Sequence, residues 1–380
     1  MKITIVTGFF LPVPAVMGGS TEKIWHRLAE ELARRGHEMT LVSRAWPGFA
    51  KRETVAGVAH RRLRGANHSR WLAINLLRDL VWGLRVARNL PPADIVISAT
   101  LILPIWLRRV KPRAGRVVAL VARMPKGRGR AYGNVDRLFA PSQTVVSRLQ
   151  AENPRLAGRI SLVPYPVDWA QQAGAVGRAE AGPVTIGFSG RIHPEKGIRL
   201  LLAAAAKLAA RRDLPPWRLE IVGPIGIAVG GGGTAWRDGL LEQFGSELGS
   251  RLAFRDPDFD AESLARRYGA MDIFCYPSLA AKGETFGVAV AEAMAAGCAP
   301  IVSNLECFRG QVRDGETGLI FDQTDPRAEL LLAESLALLL ADRPRREAIA
   351  RRAQIHARQF DYVVVADTVV RQLELTLKHP

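Results

Sequence analysis

Short apolar runs, four to six residues long, recur along this chain. They alternate with stretches in which apolar positions return every three or four residues. In the first half, the runs at 2–6, 39–43, 94–98, 116–121, 137–140 and 160–163 are expected to be strands, and 20–35 and 69–89 to be helices. In the second half, 184–189, 217–222, 252–255, 273–276, 299–302 and 318–321 repeat the rhythm. Strands this apolar must be buried on both faces. Followed by helices, they imply an α/β chain with mostly parallel sheets. Two such series imply two Rossmann-like domains, and 380 residues are too many for one ordinary domain. Prolines and glycines crowd 164–183 and interrupt the periodicity there, so the boundary is placed to give domains 1–165 and 166–361.

Composition changes this picture in three ways. First, no run reaches the ~18 apolar residues that a membrane-spanning helix needs. The N-terminal MKITIVTGFFLPVPAV mimics a secretion leader, but Pro12 and Pro14 interrupt it and an amphipathic helix follows, so a first strand is expected. Second, Cys275, Cys298 and Cys307 have neither zinc spacing nor a paired framework. They are expected to be small buried hydrophobes in a reducing, cytoplasmic protein. Third, the net charge of +17 is uneven. Residues 1–170 hold 28 Lys+Arg against 10 Asp+Glu, or +18, whereas 171–380 hold 25 against 26, or −1. A general arginine bias would affect both halves. The first half therefore suits an anionic partner, and its segment 69–90 carries Trp71 and Trp82 with Arg70, Arg78, Arg85 and Arg88, as a helix on an anionic membrane surface would, or as a domain helix with its apolar face in the core would; the two are compatible if the helix is only partly covered. No nucleic-acid-binding motif accompanies the charge.

Three constellations carry chemistry. After the first strand, Gly18-Gly19-Ser20 opens a helix. Glycines there let backbone N–H groups approach an anion, unless Ser20 or Thr21 simply caps the helix. In GRIHPEKG at 190–197, Arg191 offers a planar fork and Lys196 a point charge, both suited to phosphate oxygens, while His193 shapes the loop. In GETFGVAVAEAMAAG at 283–297, Glu284 stands on a loop and Glu292 inside a short apolar helix. Glu292 then needs a hydrogen-bonding partner, a ligand hydroxyl pair or an arginine, and the N–H groups of Thr285, Phe286 and Gly287 would face an anion. The four glycines at 230–233 lack a following Gly-Lys-Ser/Thr and are expected to form a flexible loop. The D-x-D spacings at 256–258 and 258–260 are given no metal role, since two Rossmann halves argue against the fold that uses them.

In order, the Gly18-Gly19 loop, GRIHPEKG, the E-x7-E pair Glu284 and Glu292, PSLAAKGETFGVAVAEAMAAGCAPIVSN at 277–304 and RDGETGLIF at 313–321 resemble the retaining glycosyltransferases of family 4 over nearly the whole chain. The resemblance implies the GT-B fold: two Rossmann-like domains facing each other across a cleft, with a C-terminal helix at about 362–380 returning to the first domain. It implies a metal-independent, retaining, hexosyltransferase-type enzyme with no cofactor. Such an enzyme takes a sugar from a nucleoside diphosphate sugar, held in the second domain, to a hydroxyl acceptor in the first, in envelope polysaccharide or glycolipid synthesis. Arg191 and Lys196 would hold the diphosphate, Glu284 the donor-sugar hydroxyls and Glu292 the ribose, with Gly18 and Gly19 approaching the phosphates. Many relatives place a histidine after an N-domain strand; here Ala122-Arg123 stands in its place, so Arg123 or Lys126 would serve on the acceptor side, or no side chain at all. The alternatives are an epimerase or phosphorylase on the same fold, or a basic binding protein with a decayed site.

Overall fold

The computed structural model describes residues 1–175, 177, 182–258 and 260–378. Part of the expected boundary segment 164–183, namely 176 and 178–181, therefore lies outside the described residues. The chain divides into two units: Met1–Pro166 with the last helix, Tyr362–Lys378, and Val167–Asp361.

The first unit is built on an eight-stranded sheet. In chain order its strands are β1 (Lys2–Val6), β2 (Glu38–Arg44), β3 (Arg52–Val55), β4 (Val58–Leu63), β5 (Ile95–Ser98), β6 (Arg116–Leu120), β7 (Arg137–Ala140) and β8 (Ile160–Leu162). Across the sheet they run β3-β4-β2-β1-β5-β6-β7-β8. All pairings are parallel except β3 with β4. Ile3, Ile5 and Val6 of the central strand are buried, as an inner strand covered on both faces requires. Trp82, on helix Leu72–Asn89, is fully buried and donates its indole N–H to Thr7 O at 3.0 Å. The last helix joins this unit through Arg35 to Asp367 at 2.5 Å, Arg137 to Thr376 Oγ1 at 2.7 Å and Ser161 to Gln372 at 2.7 Å.

The β3–β4 hairpin was not expected. Its strands carry Arg52, Glu53, His60, Arg61 and Arg62, so apolar and polar positions do not alternate. Its turn is Ala56-Gly57 rather than Asn-Gly, yet both residues have positive φ, 48° and 78°, as a two-residue hairpin turn demands.

The second unit holds six parallel strands: β9 (Val184–Ser189), β10 (Trp217–Val222), β11 (Leu252–Arg255), β12 (Ile273–Tyr276), β13 (Ala299–Ser303) and β14 (Leu319–Phe321). Their order is β11-β10-β9-β12-β13-β14. Written from the first strand this is 3-2-1-4-5-6, the Rossmann order, and it reverses direction between β9 and β12. In open α/β sheets, ligands bind outside the carboxyl ends of the strands at that reversal. The three cysteines are buried and free, as expected of small hydrophobes.

Candidate functional site

Two loops leave the reversal point of the second unit. From β9 the chain passes through Gly190, a single 3-10 turn at Pro194–Lys196 and Gly197 into helix Ile198–Ala209. From β12 it runs through Ser278 and Glu284 to Gly287, which caps helix Val288–Ala295 with φ 76° and without a side-chain cap. The N–H of Gly287 therefore lies at a helix N-terminus without a side-chain cap, where partial charge is positive, and Thr285 and Phe286 immediately precede it. The amide of Gln311 holds this turn by donating to Phe286 O.

Because β9 and β12 are neighbours, the two loops meet. Lys196 Nζ donates to Glu284 Oε2 at 2.7 Å, with side-chain exposures of 10% and 11%. Ser278 Oγ donates to the same oxygen at 3.2 Å. The ammonium also sits 5.2 Å from the centroid of the Tyr276 ring, which stacks on Phe188. Burial, and then the Glu284 charge, push the Tyr276 phenol well above its usual value. Arg191, by contrast, is exposed. Its guanidinium donates to Glu195 Oε1 at 2.5 Å and to Gly230 O at 2.7 Å. His193 accepts the N–H of Glu195 through Nδ1 at 3.3 Å, the loop-shaping role expected of it.

Glu292 is half-buried, and a tyrosine is one of its partners. Tyr268 Oη donates to Glu292 Oε2 at 3.2 Å. Burial, followed by the Glu292 carboxylate, raises the Tyr268 phenol far above its usual value and keeps it a donor. The glycine run also departs from expectation. Gly231 N–H donates to Gly226 O at 2.9 Å, Gly232 N–H to Ile192 O at 2.8 Å and Gly233 N–H to Ile225 O at 2.8 Å. The run is thus hydrogen-bonded against the 190–197 loop, and Gly230 supplies an acceptor for Arg191.

The D-x-D spacing has a local explanation. Asp260 caps helix Ala261–Gly269 by accepting from Ser263 N at 2.8 Å, and Asp258 accepts from Arg267 at 3.1 Å. Phe259, between them, lies outside the described residues.

In the first unit, Gly18 and Gly19 have φ of 77° and 108°, and Gly19 caps helix Ser20–Arg34. The N-cap position is thus held by Gly19 and not by Ser20 or Thr21. A Cβ on Gly19 would stand 2.5 Å from Glu22 Oε2 and 2.6 Å from Leu11 Cδ1. Glu22 is buried, and burial raises its carboxyl above the usual range while its backbone hydrogen bond and the Arg123 charge oppose the rise. Burial, with the charge of Glu22, also raises the Tyr165 phenol, which bonds Thr21. Arg123 is exposed and joins this group through its field. Lys126 is exposed, and among the described residues nothing ties it to the others.

The sequence reading missed Tyr268, Ser278, Glu195 and Gly230 in the second unit, and Glu22 and Tyr165 in the first. Only Glu22 left a signal, as an acid two residues into a helix opened by two glycines.

Comparison with known proteins agrees with this arrangement. The model described as Glycosyltransferase Family 4 matches residues 18–171, and that described as Glycosyl transferases group 1 matches 175–356. A phosphatidyl-myo-inositol mannosyltransferase of Mycolicibacterium smegmatis is 34% identical over 191 residues, 50% of this chain and 45% of its own length. That of Mycobacterium leprae is 27% identical over 98% of this chain and 96% of its own length. A D-inositol 3-phosphate glycosyltransferase of Rhodococcus opacus is 30% identical over 66% of this chain and 57% of its own length. At 30% identity or more, the chain thus spans about half the length of the relatives it matches. Among solved structures, a sucrose-phosphate synthase of Thermosynechococcus elongatus aligns over all of both chains with a TM-score of 0.78 at 19% identity. An Anabaena protein in complex with UDP aligns over 99% of this chain and 100% of its own, with a TM-score of 0.72 at 17% identity.

Proposed function

The chain belongs to glycosyltransferase family 4, and on that premise we propose that it moves a hexosyl unit from a nucleoside diphosphate sugar to a hydroxyl of a glycan or glycolipid, with retention and without a metal. The observation that carries the reading is the Lys196–Glu284 pair, buried at the strand reversal beside an uncapped helix N-terminus. An ammonium has three protons, and Glu284 takes one; the others suit a diphosphate oxygen. Arg191 would swing its fork from Glu195 to the same diphosphate. Charge growing on the leaving group would be met by these cations and the helix N-terminus, a preorganised field that needs no metal. Glu284 would orient the donor sugar, and Glu292, steadied by Tyr268, would accept from the ribose hydroxyls. Gly18 and Gly19 would approach the phosphates, and Arg123 would serve the acceptor; Lys126 has less support, being untethered.

A panel of nucleoside diphosphates tests the donor site. A bound nucleotide at ~100 times its dissociation constant should raise stability by roughly 2.7 kcal/mol. Glu292→Gln should weaken that binding by about 10- to 100-fold, the loss of a charged hydrogen bond worth ~1.5–3 kcal/mol. Turnover should persist in excess chelator. Wild-type nucleotide binding by the variant would move the ribose elsewhere, and a magnesium-restored loss of turnover would remove the metal-free mechanism.

The relatives named for phosphatidyl-myo-inositol support a lipid-linked acceptor, and the basic first half would bring the enzyme to it at the cytoplasmic face of a membrane. No helix among the described residues is long and apolar enough to cross a membrane. Helix Leu72–Asn89 turns Trp82 and Val86 inward yet leaves Leu72, Leu77, Val81 and Leu84 exposed, beside an exposed Trp71. Arg78 and Arg85 donate to the carbonyls of Asn67 and Arg64 and hold the preceding loop, whereas Arg70 and Arg88 are exposed. Binding to anionic vesicles should therefore weaken about fivefold for each of Arg70→Gln and Arg88→Gln, and fall with salt. Equal partitioning onto neutral vesicles would refute the electrostatic part.

A further inference from the structure

A cavity of about 170 Å³ opens at the β3–β4 edge of the first unit, lined by Lys51, Arg52, Arg61, Arg62, Leu63 and Asn89. Four of the six lining residues are cations and none is an acid. The cavity is smaller than the roughly 300–1,000 Å³ of a drug-sized ligand site, so it suits a compact ion or head group.

The four cations are not equivalent. Arg62 is buried and already engaged: it donates to Val13 O at 3.1 Å and Ala50 O at 2.7 Å, and pairs with Glu53 at 2.5 Å. It belongs to the architecture of the hairpin. Arg61 is half-buried and donates to Asn89 O at 3.2 Å, closing the end of helix Leu72–Asn89. That bond uses one of its five N–H donors. Lys51 and Arg52 are exposed, and among the described residues no carboxylate pairs with Lys51, Arg52 or Arg61.

The register makes this arrangement unusual. Arg52 stands directly opposite Arg61 in the antiparallel pair, so both side chains rise from the same face of the hairpin. Like charges directly opposite each other across two strands destabilise a sheet. Elsewhere the chain neutralises its cations freely: Arg108 and Arg116 share Asp136, and Arg35 takes both Glu31 and Asp367. At this cavity alone among those examples, two forks and an ammonium converge on a concave space with no acid in it. An anion between them would relieve the repulsion, and guanidinium forks match phosphate oxygens two at a time.

We infer that this cavity is an anion site, separate from the Lys196–Glu284 loops, that takes a phosphate-bearing group, whether a soluble phosphate ester or a lipid head group. Arg61 and Arg52 grip the phosphate oxygens, Lys51 adds charge at the rim, and Leu63 lines the apolar wall.

The experiment uses the full chain and its Lys51→Gln/Arg52→Gln variant, whose changes are exposed and spare the engaged Arg62. Inorganic phosphate binding is measured by equilibrium dialysis. Partitioning is measured onto phosphatidylcholine vesicles with and without phosphatidic acid. Phosphate also suits the donor loop, so the readout is the difference between the two proteins, at matched thermal unfolding. The variant should bind phosphate at this site roughly fivefold more weakly for each charge removed, while donor turnover is kept. If only phosphate binding falls, the ligand is a soluble phosphate ester. If binding to phosphatidic acid vesicles falls with it, the ligand is a lipid head group. Unchanged binding in both arms overturns the inference. So does a loss on vesicles alone, which would mean diffuse surface charge rather than a site.

Discussion

Lys196→Met will destabilise the second unit by about 3–5 kcal/mol, and adding Glu284→Gln will return most of that stability without returning turnover. The first effect follows from burial. Both side chains are nearly nine-tenths covered and lie 2.7 Å apart. With the ammonium gone, Glu284 keeps only neutral hydroxyl partners such as Ser278 Oγ at 3.2 Å and the Tyr276 phenol, and a buried carboxylate so left costs roughly what breaking a buried ion pair costs. The double variant removes both charges, and a neutral pair of similar volume carries no such penalty. Turnover separates the two roles. If Lys196 meets the diphosphate, its loss should cost about 10- to 100-fold in kcat/KM, the worth of a charged hydrogen bond, whether or not Glu284 is neutral. Urea unfolding and donor kinetics on the two single variants and the double variant decide it. A double variant that regained both stability and turnover would make the pair architectural only.

The second large effect is at Gly197. Its φ of 70° is left-handed, a conformation that costs an L side chain roughly 1–2 kcal/mol. A Cβ there would also drive into the carbonyl group of Pro277, backbone that cannot turn aside. The 190–197 loop is fastened to that same segment by Leu279 N–H, which donates to Glu195 O at 2.8 Å. Pushing Pro277 away therefore moves Ser278 and, through it, Glu284. Gly197→Ala should lower stability by more than 3 kcal/mol and donor turnover by more than about tenfold, strain and clash acting together. Gly315→Ala is the control. Its φ is 73° with nothing within 4 Å of the added carbon, so it should show the strain alone, about 1–2 kcal/mol. Equal losses at the two positions would show that the close approach to Pro277 decides nothing.

What could be read from the chain divides along physical lines. The inner strands were legible because a strand buried on both faces must be mostly apolar, and β1, β5, β9 and β12 are, with only small hydroxyl residues and the exposed Lys2 among their apolar positions. The β3–β4 hairpin was not, because after Val58 its buried positions are filled by His60 and by Arg62 bonded to backbone carbonyls, which no hydropathy pattern marks. The phosphate-suited loops were visible as local spacings. Their meeting was not: Lys196 and Glu284 are 88 positions apart, and only the adjacency of β9 and β12 brings them together. Tyr268 escaped for the same reason, lying one helix upstream of Glu292. The glycine run misled because flexibility in an isolated peptide says nothing of the backbone bonds it makes once Ile192 and Ile225 are beside it.

The last helix has a consequence for how the protein is made. Tyr362–Lys378 belongs to the first unit, yet it leaves the ribosome only after the whole second unit, the 195 residues Val167–Asp361. At ~5–20 residues per second, that is a delay of roughly 10–40 s. For that interval Arg137, Ser161 and Arg35 lack their final partners, and the surface that Val365, Val369 and Leu373 will cover stands open. The second unit, continuous in sequence, has no such wait and can close first. The first unit of the nascent chain should therefore mature after the second, held incomplete and exposed to chaperones until Tyr362–Lys378 has emerged.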